Sequence, residues 1–427
     1  MLLVYTHKIT PRITYIFKHI CTRVLGLPVS FTTKVEELVA HDGPKLSYTT
    51  KKLGNELYLR STDLLFEHGI LSTDVVVQQW DGLPALFPVK DVTAAIPFDI
   101  FAGAFYLMSR YEEYLPHVKD DQGRFPASES IAVLYKFIKL PVIDIWVDRF
   151  ISILHANFPN INIDKPVYEK EMLVTVSQAF KYTKIGFLRT LGGYMTDTWR
   201  LRFRENFIRT QVLLGVRKDP YNISNWLINV QKQVSQPFKV FYQLGNYGMH
   251  SKNIKHSKKD FQSVMKMIAD YCEVGLLVSP QAIAQNIDLA VERKRLESII
   301  HRPLKHIHIA DFKLVLPQVY RDALDQEIQN DYTMGYPDEI GFRAGTSQSF
   351  LFYDLDYEIQ TPLMIHPVAM QSDNVINYHN HTIDYVSLRD MQKSIQRVGG
   401  TFRLNFSNAS FEDIFSKKLF RRIALDD

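Results

Sequence analysis

Val274-Gly-Leu-Leu-Val278 is an apolar run of the length of one buried strand. A helical pattern stands on each side of it, Lys258 to Cys272 before and Ile287 to Ile300 after. The same alternation extends outward. Strands read at Met172–Val176, Phe238–Leu244, Lys305–Ile309, Phe350–Tyr353 and Phe402–Phe406, and further helices at Pro317–Glu327 and Ser387–Val398. β-α units repeated over roughly 250 residues predict a sheet covered by helices, wound either as a barrel or as an open doubly wound sheet.

The chain upstream reads as a smaller α/β unit. Leu2 to Thr6 is a strand, Thr10 caps a helix with Pro11 at its first position, and Gly26 ends it. Ile13, Ile16, Phe17, Ile20 and Val24 recur at helical spacing, and Val29 to Thr33 is the next strand. This β-α-β order predicts parallel pairing. Further strands are expected at Lys45–Tyr48, Glu56–Leu59 and Val75–Gln79, and helices at Phe98–Tyr114 and Pro141–Phe158. Arg110, Glu112 and Glu113 read as a solvated helix end with local ion pairs. Pro159 to Lys170 is polar and without period, which divides the chain into residues 1–165 and 166–427.

Composition narrows the function classes. Of 427 residues, 46% are hydrophobic and 22% charged, the ordinary globular range, and a net charge of +4 lacks the basic footprint of a dedicated nucleic-acid binder. Cys21 and Cys272 form neither a disulfide framework nor a CxxC site. The amino terminus lacks a secretory layout, and no apolar run reaches the roughly 18 residues of a membrane span. The expected location is cytoplasmic.

Dinucleotide, P-loop, GxSxG and HExxH motifs are absent. The pairs His306-x-His308 and His379-x-His381 could each present two nitrogens to a metal, but neither neighbourhood supplies a third ligand. Asp354-x-Asp356 reads as a turn. His366 ends an apolar run and can point into a barrel mouth. In Gly341-Phe-Arg-Ala-Gly-Thr346, glycines flank an arginine, so the backbone can turn sharply and aim a guanidinium into a pocket. Arg189 to Lys218 is the most basic region, with Trp199, Phe203 and Phe207 interleaved, and reads as a helical excursion with a basic outer face.

Several longer strings carry a resemblance. They are Phe98-Asp-Ile-Phe-Ala102, Ser109-Arg-Tyr-Glu-Glu-Tyr114, Gly123-Arg-Phe-Pro-Ala-Ser128, Gly186-Phe-Leu-Arg-Thr-Leu-Gly-Gly193, Asp331-Tyr-Thr-Met-Gly-Tyr336, Gly341 to Thr346, and His366-Pro367. Together they resemble the polysaccharide deacetylase family, in the bacterial branch with an extra N-terminal α/β domain of unknown role. The resemblance covers nearly the whole chain. It implies a distorted (β/α) barrel that removes N-acetyl groups from amino sugars. In the family one aspartate and two histidines hold a divalent metal, a second aspartate is the base, a histidine is the acid, and an arginine, here Arg343, orients the base.

The departures from that pattern set the expectation. Thr175 stands where the base belongs and Ser177 where the metal-binding aspartate belongs. Leu277 and Ala310 stand at the two histidine positions, and Ser407 at the acid. Hydroxyls are poor ligands at a divalent site and leucine is none. The resemblance therefore implies a catalytically inactive homologue, with no cofactor expected, that keeps a glycan-binding or scaffolding role. A glycan or amino sugar would meet Arg343, Tyr332, His366 and Thr346. One alternative is an active, zinc-type deacetylase with relocated ligands among His308, His366, Asp311 and Asp331. Another is a protein-interaction module using Arg189 to Lys218.

Overall fold

The computed structural model describes residues 1–72, 74–246, 254–284, 286–378, 380 and 382–425. Its amino-terminal portion is built on four parallel strands, β1 (Leu2–Tyr5), β2 (Val29–Thr32), β3 (Lys45–Thr49) and β4 (Leu57–Arg60), in the order β2-β1-β3-β4. The first crossover begins as read. The Thr10 hydroxyl accepts from the Ile13 amide at 3.1 Å, and Pro11 fills the position where a missing N–H costs nothing. Ile13, Ile16, Phe17 and Ile20 are fully buried beneath the sheet. The winding widens to a π-helix over Lys18–Val24, and Gly26 ends it at φ 61°.

Two local features depart from the sequence reading. The strand expected near Val75 pairs outside the main sheet, as a hairpin of β5 (Val77–Trp80) and β6 (Leu83–Leu86). The helix expected over Phe98–Tyr114 is two pieces, Ile100–Met108 and Tyr111–Tyr114. Asp99 caps the first through the Ala102 amide at 3.0 Å. Arg110 breaks the helix in a left-handed conformation, φ 55°, without a glycine or proline to mark it.

The main sheet of the second portion has nine strands: β7 (Glu169–Val176), β8 (Lys239–Tyr242), β9 (Glu273–Val278), β10 (His306–Ile309), β11 (Asn330–Asp331), β12 (Phe350–Asp354), β13 (Ile359–Ile365), β14 (Met370–Gln371) and, after a separate small hairpin of β15 (Ile376–Asn377) and β16 (Thr382–Ile383), β17 (Thr401–Ser407). Their order is β12-β13-β11-β10-β9-β8-β7-β17-β14. Neighbours are parallel except β12, which pairs antiparallel with β13. Phe350–Tyr353 is thus an antiparallel edge and not another β-α unit. β13 and β14 stand toward opposite ends of this ladder, yet only residues 366–369 join them. Five Cα steps reach at most about 17 Å, so the sheet bends round until its ends approach. The architecture is mixed α/β. One contiguous apolar core runs from Leu2 to Ala424 and crosses between the two portions, where Tyr15 and Phe105 meet Tyr353 at ring distances of 4.9 and 5.2 Å.

Candidate functional site

Alternation along the bent strands sends one set of side chains away from the main core. Leu173 (β7), Phe241 (β8), Leu277 (β9), Ala310 and Phe312 beyond β10, Tyr332 beyond β11, and Val368 form a separate buried apolar cluster. Gly275 makes room for it: a Cβ there would lie 2.6 Å from the Phe241 ring and 2.7 Å from the His306 carbonyl oxygen. The ladder pairs Thr175 with Ser407. The Thr175 hydroxyl donates to the Phe406 carbonyl at 3.4 Å, and the Ser407 hydroxyl accepts from the Ala409 amide at 3.3 Å. Ser177 is exposed just past β7. So the structure brings Thr175 together with Ser407, and Leu277 together with Ala310, while Ser177 stands apart.

The four relocated-ligand candidates do not converge. His308 lies inside the apolar cluster, its Nδ1 3.0 Å from the Ile309 carbonyl, and burial pulls it down to about 4. Among the described residues its Nε2 has no partner. Asp331 is fully buried and accepts from Tyr320 Oη at 2.8 Å and from the Thr333 amide and hydroxyl at 3.0 and 2.6 Å. Burial pushes its carboxyl up to about 6 against those hydrogen bonds. Asp311 is exposed. His366 lies between Ser349 Oγ at 2.8 Å and Asn330 Oδ1 at 2.9 Å, and burial and then Arg403 hold it well below the usual histidine range. Among the described residues, no three His, Cys, Asp or Glu side chains form a group that could hold a metal ion. His379 and His381 lie outside the described residues. Asp354 closes a turn, accepting from the Asp356 amide at 3.1 Å while Arg321 bridges both carboxylates.

The Gly341–Thr346 stretch works at the seam between the two portions. Arg343 is 1% exposed and gives Nε and Nη2 to Glu113 at 2.8 and 2.7 Å, with Nη1 on the Gly335 carbonyl at 3.2 Å. Glu113 also accepts from Arg110 Nε at 2.7 Å, and Arg110 reaches Glu112 at 2.6 Å and the Arg343 carbonyl. The pairing of Arg110 with its two glutamates occurs as read, but buried and not solvated. Burial alone would raise Glu113, yet Arg343 and Arg110 hold it below the usual carboxylate range. The Thr346 hydroxyl donates to Asp144 on helix Val142–Asn157, and the Ser347 amide and hydroxyl donate to the same carboxylate at 2.8 and 2.5 Å. Gly345 (φ 68°) passes close to Leu107, so a Cβ would sit 2.8 Å from it. Arg343 and Thr346 therefore spend their polar atoms on Glu113 and Asp144 of the first portion and on the Gly335 carbonyl rather than on an open pocket. Tyr332 is buried and stacks on His366, ring centroids 4.3 Å apart.

A polar belt below the apolar cluster escapes motif reading. Arg403 (β17) pairs with Glu171 (β7) at 2.5 Å, Glu171 with Lys239 (β8) at 2.8 Å, and Lys239 with Glu273 (β9) at 2.9 Å. Glu273 lies 3.6 Å from His306, and Arg403 Nη2 donates to Ser349 at 2.8 Å. Burial would raise Glu171, but Arg403 and Lys239 draw it down to about 2. The signal in the sequence is a charged or imidazole side chain near the start of five successive inner strands.

Residues 2–159 match a family of unknown function (DUF7033). No curated protein matches the chain. The family match ends at the start of the polar segment 159–170.

Proposed function

We propose that residues 166–427 are a distorted (β/α) barrel of polysaccharide-deacetylase type that has lost catalysis and serves as a scaffold carrying the first portion. The bent nine-stranded sheet supports the barrel reading. The observation that carries the loss of catalysis is the packing of Leu277 and Ala310. The resemblance places metal-binding histidines at these positions, and here both side chains pack in one apolar cluster with Phe241, Phe312 and Tyr332. An ion there would be stripped of water with the single nitrogen of His308 to replace it, short of the three or more ligands a divalent site needs. Scaffolding is favoured over sugar binding at Arg343 and Thr346, because Glu113 and Asp144 already take their hydrogen bonds. The test is acetate release from N-acetylglucosamine oligomers with zinc, cobalt or nickel present. Release at the buffer rate is expected. A rate above it that disappears in His308→Ala or Asp331→Asn would overturn the proposal.

A further inference from the structure

The basic excursion is a hairpin of two helices, Phe187–Trp199 and Phe203–Leu213. Its contacts are inverted relative to a water-soluble hairpin. Between the helices, Arg209 pairs with Asp197 at 2.5 Å and donates to the Thr190 carbonyl at 3.1 Å, Tyr194 meets Thr210 at 2.7 Å, and Asn206 donates to Thr198 at 2.8 Å. Gly193 admits the Arg209 guanidinium, since a Cβ would fall 1.8 Å from Nη1. The large apolar side chains point outward: Trp199 is 84% exposed, Leu188 82%, Met195 67%, Phe207 65% and Phe203 61%. Leu188, Leu191, Met195 and Trp199 follow one stripe at helical spacing, and Phe203, Phe207 and Leu214 another. The sequence reading of a basic outer face is corrected here: the outer face is apolar, with arginines at its turn. Polar contacts and small residues between helices, with apolar side chains outside, suit an apolar surrounding.

Charge indicates which surrounding. Residues 184–218 hold eight of the 50 Lys and Arg and two of the 46 Asp and Glu, a formal +6 in a chain of +4. Both carboxylates are committed inside, Asp197 to Arg209 and Glu205 to Lys181 and Tyr182. Arg200, Arg202, Arg204, Arg217 and Lys218 are exposed. A second copy of the hairpin would bring like charge against like. Among the described residues, no helix is long and apolar enough to cross a membrane. At about 20 and 16 Å, these two fall short of the roughly 30 Å hydrocarbon layer but have the form of helices that lie in its interface.

We propose that this hairpin docks along the surface of an anionic lipid bilayer. Leu188, Met195, Trp199, Phe203 and Phe207 enter the boundary between headgroups and acyl chains, and Arg200, Arg202 and Arg204 turn to the phosphates. The inference stands independently of the scaffold reading. The test is sedimentation of the full chain with phosphatidylcholine vesicles that contain about one third phosphatidylglycerol. Binding is expected at low salt, weakening as salt rises. Replacing Arg200, Arg202 and Arg204 together by Gln should weaken it about 100-fold. Trp199→Ser with Phe203→Ser should weaken it at least about tenfold, and brominated lipid should quench tryptophan emission less in Trp199→Phe than in the parent chain. All these side chains are exposed, and circular dichroism checks that each variant is folded. Failure to sediment at low salt, or equal binding by parent and variants, would overturn the proposal. So would a dimer in sedimentation velocity that Phe203→Ser dissociates while the parent ignores vesicles.

Discussion

Replacing Glu113 by Gln should be among the most damaging single changes at the seam between the two portions, and its cost should exceed that of Arg343→Met. Glu113 takes three charge-assisted hydrogen bonds, one from Arg110 and two from Arg343, all within 2.8 Å and all buried. Removing its charge leaves one amide oxygen where two carboxylate oxygens served two guanidinium groups and turns an NH2 donor toward them, while Arg343 keeps the Gly335 carbonyl and Arg110 keeps Glu112. Breaking a buried ion pair from one side costs about 3–5 kcal/mol. Arg343→Met removes the other partner but leaves Glu113 bonded to Arg110, so its cost should be about 1–3 kcal/mol. Against a typical stability of about 5–15 kcal/mol, both are measurable. Because the folded Glu113 titrates below its unfolded range, this contribution is present above the unfolded pKa of about 4.3 and is lost as pH falls through the folded value. The assay is urea unfolding at neutral pH, followed by far-ultraviolet circular dichroism. If Glu113→Gln fell within about 0.5 kcal/mol of the parent chain, or Arg343→Met cost more, the Glu113-centred account of the seam would fail.

Other outcomes follow from single contacts. Asp331, pushed up to about 6 by burial, binds its proton more tightly folded than unfolded. Its contribution to stability is thus full below about pH 4 and is lost as pH rises to 6. Asp331→Asn should remove on the order of 2–3 kcal/mol of that pH dependence, read as the difference between variant and parent unfolding curves at the two pH values. Gly275→Ala should destabilise by about 1–3 kcal/mol, because the added methyl meets the His306 backbone oxygen as well as the Phe241 ring. A thermal melt unchanged by that substitution would show that the interior is looser than described. Arg403→Met takes the cation from Glu171 and the donor from Ser349. It should raise the apparent Glu171 titration from about 2, and carboxyl-resolved NMR that found no rise would count against the belt.

Local chemistry was the most legible. Thr10 and Pro11 mark a helix start through the backbone beside them, and the succession of β7 to β10 is visible as a change of hydrophobic period, whereas the two-residue β11 is too short to show one. What failed to read were features decided at a distance. Glu113 and Arg343 are 230 residues apart, so nothing beside Gly341-Phe-Arg343 names its partner. The left-handed Arg110 that ends helix Ile100–Met108 has no glycine signal, because its guanidinium is held by the distant Arg343 carbonyl as well as by its neighbours Glu112 and Glu113. The polar belt went unread because a lone charge at a strand start is ordinary, and only the ladder shows that Arg403, Glu171, Lys239 and Glu273 are neighbours. The hairpin reads in sequence as basic residues with Trp199, Phe203 and Phe207 interleaved, and the helical spacing of Leu188, Met195 and Trp199 that marks its apolar outer face goes unused.

The deacetylase-type reading with lost catalysis rests on apolar packing at the mouth of the bent sheet, where the resemblance would place a metal. Its most direct test is the metal content of protein purified without chelators, incubated with zinc, cobalt and nickel, and desalted. The account predicts metal far below one equivalent per chain for each ion. Close to one equivalent, lost in His308→Ala, would contradict it and place a working site within the Leu277 and Ala310 cluster.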